Sequence, residues 1–272
     1  MAFAQTWRLR ATVALLATLL SALAASASAH DQFLLPTNQV NDDGHMLVQF
    51  RVGHAGEFNP WPHGLKQVAA LRDFAPDGVH NLLQYVAAAT VAVPTAQPGT
   101  HVIALESYRS TSTLPANRFN AYVEKEGLRA IADFRRVKGQ TEQPGREHYS
   151  RRAKTLVQTG TTLSDHVTSP VGLMLEITPL THPLAMEKAD ELTLLVEYRG
   201  QPLANAKVSM ELLTVAGLPR LSTTTDARGH VRFAIPATGT WKFTTVWGEP
   251  KEHDEVEFET IFSSLTFTLP PN

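Results

Sequence analysis

The chain has 272 residues, with 24 Lys and Arg against 26 Asp and Glu, a formal net charge of −2 and 11 histidines. That balance gives no electrostatic case for nucleic acid or an anionic membrane surface as partner. It holds no cysteine, which excludes disulfides, thiolate metal sites and thiol catalysis.

The N-terminal segment carries an export pattern. Arg8 and Arg10 precede an apolar run from Ala11 to Ala25, and Ala27-Ser28-Ala29 has the A-x-A form of a cleavage site. The expectation is a signal peptide over residues 1–29, cut after Ala29, and a periplasmic mature chain of 243 residues that begins at His30. Loss of Arg8 and Arg10 leaves 22 basic residues against 26 acidic, a net charge of −4. The apolar run falls short of the roughly 20 residues of a spanning helix. No later stretch is longer, so no membrane insertion of the mature chain is expected.

Beyond residue 30 the dominant period is two. Met46, Val48, Phe50 and Val52 fall on one face of the segment His45 to Val52, and Leu192, Leu194, Val196 and Tyr198 on one face of Glu191 to Arg199. Further strands are expected at His101 to Ser107, Gly172 to Ile177, Ala206 to Leu213, Val231 to Ile235, Trp241 to Trp247 and Leu265 to Leu269. Asn117 to Lys138 breaks this pattern. Phe119, Tyr122, Val123, Ile131 and Phe134 with interleaved charges predict one or two short helices, bent or broken at Gly127. In Asp226-Ala227-Arg228-Gly229, Asp226 is expected to close a turn on backbone amides and Gly229 to take a positive φ.

The segments "HMLVQFRVG" and "ELTLLVEYRG" echo one another, as if each opened its own sandwich. The fold class expected is mainly β: two immunoglobulin-like antiparallel β-sandwich domains, with a short helical insertion in the first. A boundary is expected near Thr181 to Lys188, giving an N-terminal β-rich domain over residues 30–185 and a C-terminal sandwich over 186–272.

Six stretches in order, "AHDQFLLP", "FNAYVEKEGL", "REHYSRRAKTLVQTG", "LMLEITPLTHPL", "GQPLANAKV" and "FSSLTFTLP", resemble domain-of-unknown-function family 4198. The resemblance covers nearly the whole mature chain. It implies an exported bacterial protein of the kind labelled as the periplasmic component of a cobalt or nickel ABC-type uptake system, with a membrane metal permease as partner. His148 and the acidic stretch "EPKEHDEVEFE" depart from the family pattern, and no role is carried onto them.

An N-terminal His30 has its own chemistry. The free α-amine and the imidazole, with ordinary pKa values near 8 and 6.5, form a chelate for one divalent metal. A second imidazole completes a T-shaped three-nitrogen set, a histidine brace suited to copper(II) or nickel(II). The bland alternative is a solvated residue that merely follows the cut. His54, Glu57 and His63 lie close in sequence around a loop stiffened by Pro60 and Pro62, and this loop is a source of the missing ligand. His253 lies among Glu249, Glu252, Asp254, Glu255, Glu257 and Glu259, a run that is either a solvated face or a weak collector of cations. His45, His80, His101, His166, His182 and His230 are expected at the surface. The metal candidates are therefore His30, His54, Glu57, His63 and His253.

Enzymatic signatures are thin. There is no G-x-S-x-G elbow and no glycine-rich phosphate loop, and Glu124 and Glu126 at a spacing of two diverge on a helix. The expectation is a binding protein for nickel, cobalt or copper rather than an enzyme. Two alternatives stay open: a structural or adhesion module that binds no metal, and a copper oxidoreductase built on the brace, for which only Trp61 lies near the site. Trp241 and Trp247 fall on the inward side of their strand and are expected in the core.

Overall fold

Period-two alternation becomes strand along most of the chain. The computed structural model describes residues 31–186, 190–215, 218–251 and 255–270. Residues 1–29, where a signal peptide is expected, and the candidates His30 and His253 lie outside the described residues. In chain order come β1 (Gln32–Val40), β2 (Met46–His54), β3 (Glu57–Pro60), β4 (Val68–Ala75), β5 (Gly78–Asn81), β6 (Val86–Ala87) and β7 (Thr90–Val93). β8 (Gly99–Ser107) and β9 (Ser110–Leu114) lead into α1 (Ala116–Glu126) and α2 (Arg129–Val137), and the long β10 (Gly145–Thr159) follows. Then come β11 (Leu175–Pro179), β12 (Glu191–Tyr198), β13 (Gln201–Pro202), β14 (Lys207–Leu212), β15 (Leu221–Thr224), β16 (His230–Ala234), β17 (Gly239–Pro250) and β18 (Phe258–Leu269).

These strands make three sheets. The largest has nine strands in the order β15-β14-β17-β18-β10-β8-β4-β5, with β9 paired to β10. A five-stranded sheet runs β1-β2-β7-β6 with β3 on β2, and a four-stranded sheet runs β11-β12-β13 with β16 on β12. Among the described residues β10 and β18 pair in parallel, from Glu147 opposite Phe258 to Thr155 opposite Thr266, and the other pairings are antiparallel.

Adjacent residues of a strand point to opposite faces, and the large sheet uses both. On one face Val102 and Leu156 share a core with Leu192, Leu194 and Val196 of β12 and with Phe243, Leu265 and Phe267. On the other, Ile103, Leu105, Ala153 and Val157 pack against Leu34, Val48, Phe50 and Val91 of the five-stranded sheet. The large sheet is thus the middle layer of three, serving two sandwich cores. The echoing segments become β2 and β12, one in each outer sheet.

Here the structure differs from the expected division at residue 185. Two cores exist, but the middle sheet runs across the boundary: β4, β5, β8, β9 and β10 precede it, while β14, β15, β17 and β18 follow it. The described residues from Asp31 onward form one compact unit. A long-range parallel pairing such as β10 with β18 leaves no local mark in the sequence.

The helical insertion falls where the periodicity predicts, and α1 stops at Gly127, φ 72°. Phe119 of α1 stacks on Phe258 with ring centroids 5.3 Å apart. Gly145, at the start of β10, leaves room for that ring, since a Cβ there would overlap Phe119. Asp226 closes its turn as expected, accepting from the amides of Arg228 at 2.8 Å and His230 at 2.9 Å, with Gly229 at φ 75°.

Candidate functional site

The face of the middle sheet that looks toward β1 and β2 carries two buried charges, one on β14 and one on β17, each between apolar neighbours. Met210 and Leu212 of β14 point into one core, so Glu211 between them points the other way; Trp241 and Phe243 of β17 do the same for Lys242. Glu211 and Lys242 are direct cross-strand partners. Opposite them the five-stranded sheet contributes Asp31, just before β1, and His54, the last residue of β2.

The groups converge. Lys242 Nζ, fully buried, lies 3.2 Å from Asp31 Oδ2 and 3.0 Å from Glu211 Oε2, donates to the Gly53 carbonyl at 2.9 Å and stands 4.9 Å from the centroid of the Phe33 ring. Arg220, from the segment before β15, reaches Asp31 Oδ2 at 2.9 Å, Glu211 Oε1 at 3.3 Å and Thr244 Oγ1 at 2.8 Å. His54 Nδ1 lies 3.3 Å from Glu211 Oε1 and 3.5 Å from Asp31 Oδ2. Burial pushes the pKa of Asp31 upward, but Lys242 and Arg220 outweigh it and hold that carboxyl below its ordinary range. Burial likewise opposes ionisation of Glu211, yet the hydrogen bond from His54 and the charge of Lys242 lower it to about 2. Both acids are therefore carboxylates at neutral pH.

Local backbone fixes His54. β2 and β3 turn through Ala55 and Gly56, with His54 opposite Glu57. Gly53 has φ 134°, and a Cβ there would overlap the Glu57 carbonyl and lie 2.8 Å from Phe58 Cα. Only glycine lets the hairpin close while its own carbonyl receives Lys242.

Asp31, His54 and Glu211 offer ligand atoms that all lie within 4.8 Å of one another. Their charge does not suit them as a primary cation site. Two carboxylates already face two cations, and a metal on their oxygens would have to displace buried Lys242. Their geometry suits a supporting role instead: Glu211 Oε1, Asp31 Oδ2 and the Arg220 guanidinium, 3.3 Å away, all meet His54 at Nδ1 and hold the ring by that edge, which turns Nε2 away from the cluster.

Of the sequence candidates, the structure brings His54 into this centre. Glu57 is exposed on β3. His63 is exposed after the β3 strand, its ring edge-on to Trp61 at 5.6 Å. Trp61 is itself buried against Phe50, centroids 6.4 Å apart, which removes it as a surface for substrate. Among the histidines expected at the surface, His101 is buried, because its ring pairs with Asp73. Sequence reading did not find Asp31, Glu211, Arg220 or Lys242. The available signal was a charge flanked on both sides by large apolar residues, as in Met210-Glu211-Leu212 and Trp241-Lys242-Phe243.

Fold and centre together define a layered β protein with a buried, charge-balanced cluster between two sheets. The chain belongs to the domain of unknown function family DUF4198, whose model matches residues 27–249. No curated protein matches it. Among solved structures, the D0-D1 domain of intimin is 13% identical, with 88% of this chain and 97% of that chain covered at a TM-score of 0.20. The dimeric latent PorU of Porphyromonas gingivalis is 11% identical at a TM-score of 0.21, with 88% of this chain and 20% of that one covered.

Proposed function

We propose that the protein is an exported, periplasmic binding protein for a divalent transition metal, nickel, cobalt or copper, and that it passes the ion to a membrane uptake system. The observation that carries the reading is the position of His54 beside Asp31, because Asp31 is covalently bonded to His30. Consecutive Cα atoms are about 3.8 Å apart, so a chain cut after Ala29 begins one residue from the His54 cluster. In this reading the α-amine and imidazole of an N-terminal His30 chelate the ion, and the imidazole of His54 is the candidate for the third nitrogen donor. Asp31 and Glu211 orient His54, and Lys242 and Arg220 neutralise those acids, so the site selects by nitrogen donors rather than by negative charge. Copper(II) binds such a set more tightly than nickel(II) or cobalt(II) on intrinsic affinity.

The test is calorimetric titration of copper(II) and nickel(II) into protein whose N-terminus is shown by mass spectrometry to be His30. One-to-one binding is expected, weakened at least tenfold by His54→Ala and by one extra alanine ahead of His30. The charge balance of the cluster favours a second reading, in which it only ties the two sheets together. In that case His54→Ala changes the thermal midpoint and leaves metal affinity untouched, which would overturn the proposal.

A further inference from the structure

A second polar site lies among residues that the His54 cluster does not use. A cavity of about 470 Å³ opens between the β4–β5 hairpin, the turn at residues 83–85 and the segment joining β7 to β8. Asp73 and His101 line it although they are only 2% and 1% exposed. His101 Nδ1 lies 2.8 Å from Asp73 Oδ2, and Nε2 lies 3.1 Å from the Gln97 carbonyl. A carbonyl and a carboxylate only accept, so both ring nitrogens donate and the ring is an imidazolium. Burial opposes that charge, but the hydrogen bond and charge of Asp73 outweigh it and raise the His101 pKa.

One atom of this pair is left over. Asp73 Oδ1 is buried and has no hydrogen-bond partner, a state that protein interiors avoid. At the rim Asp77 Oδ1 pairs with His80 Nε2 at 2.9 Å. The lining includes these two carboxylates and Tyr85, and no lysine or arginine. With Asp73 balanced by His101, Asp77 biases the cavity toward cations. Among the described residues, the three-ligand cluster within metal-binding distance is the one at His54, so the cavity lacks a converging set for a bare metal ion.

We propose that this cavity binds a small organic cation through its ammonium group. An N–H donates to Asp73 Oδ1, the charge lies toward Asp77, and Tyr85 offers an aromatic face. The volume suits a molecule of metabolite size.

Putrescine is the probe, titrated by calorimetry into the full mature chain, with sorbitol and citrate as neutral and anionic controls. One-to-one binding of putrescine alone is expected, weakened at least tenfold by Asp73→Asn and several-fold by Asp77→Asn. Because Asp73 is buried, Ala96→Trp at the exposed edge of the cavity provides a second test that spares the interior, and it is expected to abolish binding. Failure of putrescine to bind, equal binding of sorbitol, or affinity unchanged by both Asp73→Asn and Ala96→Trp would overturn the proposal.

Discussion

Lys242 shows how single residues set the character of the centre. Its ammonium is fully buried yet has two carboxylates and a carbonyl within 3.2 Å. Removing one partner of such a buried set leaves an uncompensated charge and costs about 3–5 kcal/mol, whereas removing a pair together is often close to neutral. Lys242→Met should therefore lower the unfolding free energy by that order, read as a lower urea midpoint at constant m value, and Lys242→Met with Glu211→Leu should recover most of the loss. Equal destabilisation by the single and the double variant would show that the charges are not coupled. Glu147 is the opposite case. Burial raises its carboxyl from the ordinary 4.5 to about 7, even though Thr260 Oγ1 donates to it at 2.6 Å. A raised folded pKa means that the unfolded chain releases its proton first as pH rises, so stability falls between pH 4.5 and about 7 and stays low above. Glu147→Gln keeps the acceptor for Thr260 without the charge. The variant should lose that slope and gain about 3 kcal/mol at pH 8; chemical denaturation at pH 4.5, 6 and 8 reads it directly, and parallel pH profiles for variant and natural protein would refute the assignment.

At the scale of elements, the same buried charges decide what the sequence reveals. Strands with clean alternation, such as β2 and β12, are legible because one face is apolar, and Val48, Phe50, Leu192 and Leu194 are indeed buried. β10 is not legible, although it is a central strand of 15 residues. Its Arg146, His148, Arg151, Arg152 and Lys154 break the alternation, and two of them are buried: Arg152 is 8% and Lys154 2% exposed. Lys154 is satisfied by Glu176 of β11 at 2.6 Å, and Glu176 also accepts the amides of Val171, Gly172 and Leu173. A period count treats such a lysine as solvent-facing, and only the partner strand shows otherwise. The candidate site follows the same logic. His54 stands out by residue type, while Asp31, Glu211, Arg220 and Lys242 are up to 211 positions apart and are brought together by the β14–β17 pairing and by the stacking of the five-stranded sheet on it.

For the whole molecule, the shared middle sheet makes the two sandwiches interdependent, and a cut at residue 186 tests this. The N-terminal fragment keeps β10 but loses β18 along its edge, and it keeps β11 without its partner β12. The C-terminal fragment keeps β18, 12 residues long, with that edge bare as well. Long unpaired edges promote aggregation, and each fragment also loses part of a core, since Val102 and Leu156 from the first half pack with Leu192 and Phe243 from the second. Each fragment expressed alone should be insoluble or lack a cooperative transition, while the two expressed together should assemble into a soluble pair, and the intact chain should unfold in one step. The His54 cluster makes the outcome bear on function too, because Asp31 and His54 come from one fragment and Glu211, Arg220 and Lys242 from the other. If the proposed metal reading holds, copper(II) binding should return only with the assembled pair. A C-terminal fragment that unfolds cooperatively by itself would instead mean that the β10–β18 pairing joins two autonomous domains, and that the centre between the sheets is a contact rather than a product of folding.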